Sequence, residues 1–153
     1  MGVRDATAQV IEFSGELLIH GIALKPGKPT ILGKINEKPV FGLPGHPVAA
    51  FFVCMLFVRP LIHSFIGHKA QIRTIEARLT EAVNTNHGRS ECLGVKLVTK
   101  EEEQYAKPIR SKSGLISSLA GADGYIVIPR DCEGLASGTS VNVTLFSTEP
   151  VNL

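Results

Sequence analysis

Two short loops carry the residues best suited to chemistry. KPGKP at 25–29 sets Lys25 and Lys28 among Pro26, Gly27 and Pro29, so prolines fix φ, the glycine permits a sharp turn, and two ammonium groups are presented with little backbone freedom. Lysines held in this way act as point charges toward phosphate or another oxyanion. The plain alternative is a strand connection with solvated lysines. GLPGHP at 42–47 leads from a strand-like segment into a helix start, where unpaired amides and the helix dipole favour negative charge, and Gly42 and Gly45 let a ligand approach the backbone. Here the alternative is a tight turn needing glycine for conformation alone. Adjacent parallel strands would deliver both loops to one sheet edge.

His46, in the second loop, has the chemistry of a general acid or base or of an anion donor, and as a lone loop histidine it also fits an exposed spectator. His20 lies in an apolar run and reads as a core histidine, while His63, His68 and His87 have no metal-site spacing. Arg89, in NHGRSE, and Ser111, Ser113, Ser117 and Ser118 are further polar candidates, with turn and capping roles as their alternatives. No GxSxG, HExxH or Walker loop is present, so a self-contained hydrolase or nucleotidase has no support.

The elements that must position these groups follow from periodicity. Arg4 to Phe13 suits an amphipathic helix with Ala6, Val10 and Phe13 or Ile11 on one side, ended by Gly15. Strands are expected at 17–24, 30–35 and 40–43, with NEKP as a turn, and Pro47 stands where a first-turn proline is tolerated. The apolar run Val48 to Val58 reads as a buried helix closed by Arg59 and Pro60, its 11 residues falling short of a membrane span. These elements are too few to cover both faces of a sheet, so the segment looks like the end of a larger α/β domain. From 71 onward the pattern changes to short strands: IRTIEARLTEAV, ECLGVKLVT, YAKPI, YIVIP and TSVNVTLF, with SGLISSLA as a short helix and KEEEQ as a solvated run. The fold class expected is therefore an α/β fragment over 1–68 followed by a small all-β domain, barrel-like or a compact sandwich, over 69–153. Charge changes at the same point, from 6 basic and 4 acidic side chains to 10 of each.

Bulk properties narrow the classes. With 44% hydrophobic and 20% charged residues, the chain of 153 residues is globular. A net charge of +2 is too small for a general nucleic-acid footprint, so anion recognition must be local. Three cysteines without a CxxC pair argue against a disulfide framework and a zinc site and suit a reducing cytoplasm, and the N-terminus has no apolar signal core.

The order of these motifs resembles the C-terminal part of MoeA-type molybdopterin molybdenumtransferases, a family that includes the gephyrin E domain. HGIALKPGKPTILGKINEKPVFGLPGHPVAAFFVCMLFVRPLI, the GR turn and SKSGLISSLAGADGYIVIPRDCEGLASGTSVNVTLF carry the likeness across nearly the whole chain. The resemblance implies the tail of a MogA-like molybdopterin-binding domain followed by the family's terminal β-barrel. It implies a parent protein that uses molybdate and adenylylated molybdopterin, with magnesium, and releases AMP. Lys25 and Lys28 would be the catalytic pair contacting the anionic ligand, with Pro26, Gly27, Pro44, Gly45 and His46 lining its pocket. Arg89 and Ser113 would approach from the β-barrel of the same or the partner subunit of an elongated homodimer. His46 stands where the family usually has asparagine, and the upstream phosphate loop and acidic metal-site residues would precede Met1, leaving a fragment with half a site. The competing reading is a non-catalytic dimerisation or partner-binding scaffold module.

Overall fold

The computed structural model describes residues 6–68, 72–85, 87–109 and 116–146. Helix α1 (Ala6–Ser14) lies on a three-stranded sheet and buries Ala8 and Ile11 against Ile31. The helix face therefore differs from the expected one: Val10 and Phe13 are exposed, Phe13 by 93%, and only Ile11 of that stripe packs. Gly33 decides the choice. A Cβ at Gly33 would collide with Ile11, so the glycine lets the helix settle on its Ala8–Ile11 side.

That sheet has the order β1 (Glu16–His20), β3 (Ile31–Ile35), β4 (Lys38–Gly42), and both pairings are antiparallel. The parallel arrangement expected from the sequence is thus corrected to a meander. Its cause is a two-residue hairpin turn at Asn36 and Glu37, which both take positive φ (47° and 62°). The consequence for the loops survives for a different reason. Ile31 pairs with both His20 and Gly42, so the end of β1 and the end of β4 meet at the start of β3, and KPGKP and GLPGHP leave from the same edge. The single strand expected over 17–24 is divided at Gly21. After it the chain leaves the first sheet, and β2 (Leu24–Lys25) pairs instead with the second.

Pro47 opens α2 (Pro47–Val53), which continues through a π-helical segment, Cys54–Val58, into α3 (Arg59–Phe65). Arg59 and Pro60 do not close the helix. The Arg59 amide bonds to the Cys54 carbonyl five residues back, and this widened turn relieves the clash a proline ring makes with the carbonyl four residues before it. The resulting helix of 19 residues, with mean hydropathy 1.9, is long and apolar enough to cross a membrane by length and composition. Its first half is instead built into the core through Val48, Ala49, Phe52 and Val53. Within the buried helix expected over 48–58 Phe57 is exposed, and so are Ile62 and Phe65 in the part beyond it that the sequence did not predict to be helical.

The remaining chain forms β5 (Thr74–Leu79), β6 (Val83–Asn84), β7 (Ser90–Lys100), β8 (Glu103–Pro108), β9 (Gly124–Ile128), β10 (Gly134–Leu135) and β11 (Ser140–Leu145). Strands β7, β8, β5, β11 and β9 follow one another, and a β7–β9 pairing closes them into a barrel. Leu79, Val95, Ala106, Ile128 and Val143 fill its interior. KEEEQ is not merely a solvated run: Glu101 and Glu102, at φ 49° and 68°, make the tight turn between β7 and β8. The expected helix in SGLISSLA amounts to a 3-10 turn, Ile116–Ser118, among the described residues.

Two features fasten the barrel to the α/β element. Strand β2 adds in parallel to the start of β7, with Leu24 opposite Ser90 and Lys25 opposite Glu91. Beneath it, Leu24, Val48, Phe52, Cys92 and Tyr125 form a common core, ringed by edge-on contacts of Phe52 with Tyr125 (5.5 Å) and Phe51 with Phe146 (5.2 Å). The loops at the sheet edge are thereby held against the barrel.

Candidate anion site

The first loop is rigid because the residues beside it bond back across it. The Gly27 carbonyl accepts from the amide (3.1 Å) and hydroxyl (2.7 Å) of Thr30, a buried residue, and the Lys28 carbonyl accepts from the Ile22 amide (3.0 Å). Gly27 has φ 142° and packs on Leu24 and Val53, where a side chain would be strained. Lys25 and Lys28 therefore stand on a fixed platform. In the second loop His46 precedes Pro47 at the helix start, and its carbonyl accepts the first helical bond from Ala50 (3.0 Å). The following amides, at Val48 and Ala49, belong to the first turn, which has no intrahelical acceptors for them. His46 makes no side-chain cap, and a Cβ built on Gly45 meets nothing within 4 Å, so the backbone at Gly45 is open to a ligand, whereas Val48 and Ala49 are buried.

A cavity of about 330 Å³ lies between the loops. Lys25, Pro26, Gly27 and Lys28 form one side, Pro44, Gly45 and His46 another, and Arg89 of the barrel a third. Arg89 reaches it because the Ser90 amide donates to the Ala23 carbonyl (3.0 Å) and the Gly88 amide to the Arg130 carbonyl (2.9 Å), which stitches the GR turn beside β2. The structure thus brings together Lys25, Pro26, Gly27, Lys28, Pro44, Gly45, His46 and Arg89, whereas Gly42 is buried against Ile31 and Ser117, in the 3-10 turn, does not line the cavity. Ser113 lies outside the described residues along with Ser111. Arg89 comes from the same chain as the lysines. His20, expected in the core, is exposed and outside the cavity.

A second cavity, of about 400 Å³, shares Lys25, Pro26 and His46 and runs toward Phe52, Asn84, Glu91 and Cys92. Glu91 is a charged neighbour of the first loop that the sequence did not single out. Its Oε2 accepts from Lys25 Nζ (2.9 Å) and from Thr85 Oγ1 (2.6 Å), so Lys25 is a paired cation rather than an isolated point charge. Among the described residues Lys28 and Arg89 have no carboxylate partner. Three cations against the single carboxylate of the two linings leave the cleft a formal charge of +2, which suits a dianionic group. It does not suit magnesium. No three potential ligands cluster among the described residues, and the cavity wall is cationic, so the implied metal finds no ligand set here.

Burial, assisted by the neighbouring Glu91 charge, pushes the Cys92 thiol up from 9.0 to about 12. The folded chain keeps this thiol neutral while the unfolded chain ionises it above pH 9.0, so its contribution to stability is intact below that pH and is lost as pH rises toward 12. At about pH 8 iodoacetamide is expected to label Cys54 and Cys132, which are partly exposed, well before Cys92. Peptide mass mapping reads the order, and equal labelling of all three in the folded chain would contradict it.

Comparison with known proteins points to one family. Residues 1–64 match the model of a probable molybdopterin binding domain, and residues 76–146 that of the MoeA C-terminal region (domain IV). A putative molybdopterin biosynthesis protein of Methanocaldococcus jannaschii is 37% identical over 144 residues, covering 94% of this chain and 33% of that protein. A molybdopterin molybdenumtransferase of Bacillus subtilis is 28% identical over 140 residues, covering 90% and 33%. Among solved structures, a molybdopterin biosynthesis MoeA protein from Pyrococcus horikoshii superposes with a TM-score of 0.81 at 43% identity, covering 94% of this chain and 35% of that one. The chain spans about a third of the length of the curated relatives it matches.

Proposed function

Since the chain belongs to the MoeA family, matching its molybdopterin-binding domain and its domain IV in succession, we propose that it serves in molybdenum cofactor biosynthesis and supplies one wall of the pocket for adenylylated molybdopterin. In this reading the units are 1–68, the end of the MogA-like domain, and 69–153, the barrel. The parent reaction inserts molybdate with release of AMP. This wall contributes charge and position: Lys25, Lys28 and Arg89 face the phosphate groups, Gly45 offers open backbone, and Pro26 and Pro44 shape the floor. Separating AMP from the pterin leaves added negative charge on phosphate, which fixed cations stabilise. A cytoplasmic setting belongs to the same proposal, supported by three free thiols.

The observation that carries this reading is the convergence of Lys25, Lys28 and Arg89 with open backbone at Gly45 in one cavity. Calorimetric titration tests it. AMP is expected to bind, and adenosine, which lacks the phosphate, to show no binding at the same concentrations. Equal binding of the two would show that the cavity does not recognise the phosphate. The scaffold reading draws on the exposed Phe57, Ile62 and Phe65 of the long helix, which suit a homodimer contact. Light scattering separates the two: a dimer mass without AMP binding favours the scaffold, and AMP binding favours the pocket.

A further inference from the structure

We propose that Glu91 is a positioning residue of the anion cavity, fixing where the Lys25 ammonium stands; this rests on the reading of the cavity given above. Lys25 and Glu91 are register partners in the short parallel ladder of β2 and β7, 66 positions apart in sequence. The carboxylate is braced from behind. Thr85 Oγ1 donates to the same Oε2 that accepts from Lys25, and the Thr85 amide in turn donates to the Glu133 carbonyl (3.0 Å). A continuous line of contacts thus runs from the antiparallel β6–β10 pair through Thr85 and Glu91 to the ammonium.

Exposure shows which way the pair faces. The Lys25 side chain is 43% exposed and that of Glu91 15%, so the carboxylate stands behind and the ammonium in front. An ammonium has three donors, and Glu91 takes one, leaving two for a ligand in the cavity. Lysine's four-carbon stem is flexible, and holding it in the free protein removes an ordering cost from ligand binding. The charge of Glu91 acts in the opposite direction, because a carboxylate beside an anion site repels the ligand. Positioning and charge therefore predict effects of opposite sign, which makes the role testable.

AMP titration of the 153-residue chain and of Glu91→Ala, Glu91→Gln and Thr85→Val, each with its thermal melt, supplies the test. Glu91→Ala is expected to bind AMP about fivefold more weakly even though it removes a negative charge. Glu91→Gln keeps an acceptor oxygen and should bind as tightly as the wild type or more so, and Thr85→Val should fall between wild type and Glu91→Ala. Binding by Glu91→Ala that matches or exceeds the wild type overturns the proposal and leaves Glu91 a mere counter-charge. Should Glu91→Ala not fold, Thr85→Val decides: weaker binding at an unchanged melt supports positioning, and unchanged binding overturns it. Failure of the wild type to bind AMP overturns the cavity reading and this proposal together, whereas normal wild-type binding that is indifferent to these variants overturns this proposal alone.

Discussion

Phe52→Ala is expected to lower unfolding stability by about 3–5 kcal/mol. Phe52 is 1% exposed and belongs to both structural units at once. It sits on the first half of the long helix, meets Tyr125 of the barrel edge-on, and shares a core with Leu24 and Cys92. Truncation leaves a cavity where neither unit collapses easily, because β2 and the helix start hold the walls apart. Against a total of roughly 5–15 kcal/mol for a domain, the loss would be a large fraction. Urea unfolding followed by circular dichroism measures it. A loss under about 1.5 kcal/mol would mean that the junction relaxes freely, contrary to a shared core. Because the same packing holds KPGKP against Arg89, the variant should also lose AMP affinity under conditions where it remains folded.

The second large effect is expected at Lys28. A hydrogen bond to a charged group contributes roughly 1.5–3 kcal/mol, which corresponds to about one to two orders of magnitude in affinity. Lys28 is exposed, so solvent screening places Lys28→Ala near the lower end, about a tenfold loss of AMP binding. Treated from the sequence alone, Lys25 and Lys28 are equivalent. Their environments now separate them. Lys25 is tied to Glu91, so its removal also leaves a carboxylate of low exposure without its cation beside the cavity, and Lys25→Ala should lose more than Lys28→Ala. Calorimetry on the two variants ranks them directly, and equal losses would count against the pairing as a feature of the working site.

The loops that line the candidate cavity were legible in the sequence because their signals are local. Prolines and glycines at fixed positions in KPGKP and GLPGHP set backbone geometry without reference to the rest of the chain, and the order of the two loops with the GR turn carried the resemblance. What was missed depends on contacts between distant residues or on backbone states that side chains do not advertise. Glu91 lies two positions after Arg89 in the GRSE run, and only the parallel β2–β7 ladder shows that it faces Lys25. The two hairpins turn at Asn36–Glu37 and Glu101–Glu102, pairs without the glycine that usually signals positive φ, so an antiparallel meander was read as parallel strands. Pro60 is a strong helix-stop signal, and a π-helical segment cancels it. The buried face of α1 was ambiguous between two stripes until Gly33 supplied room for Ile11.

Backbone amide NMR during an AMP titration locates the bound anion on the chain. The cavity between the loops predicts shifts concentrated at Gly27, Lys28, Gly45, His46 and Arg89, and their loss in Lys28→Ala at the same AMP concentration. Shifts confined to the barrel groove of Glu76, Gln104 and Ser140, or no shifts at all, would contradict an anion site at the junction of the two units.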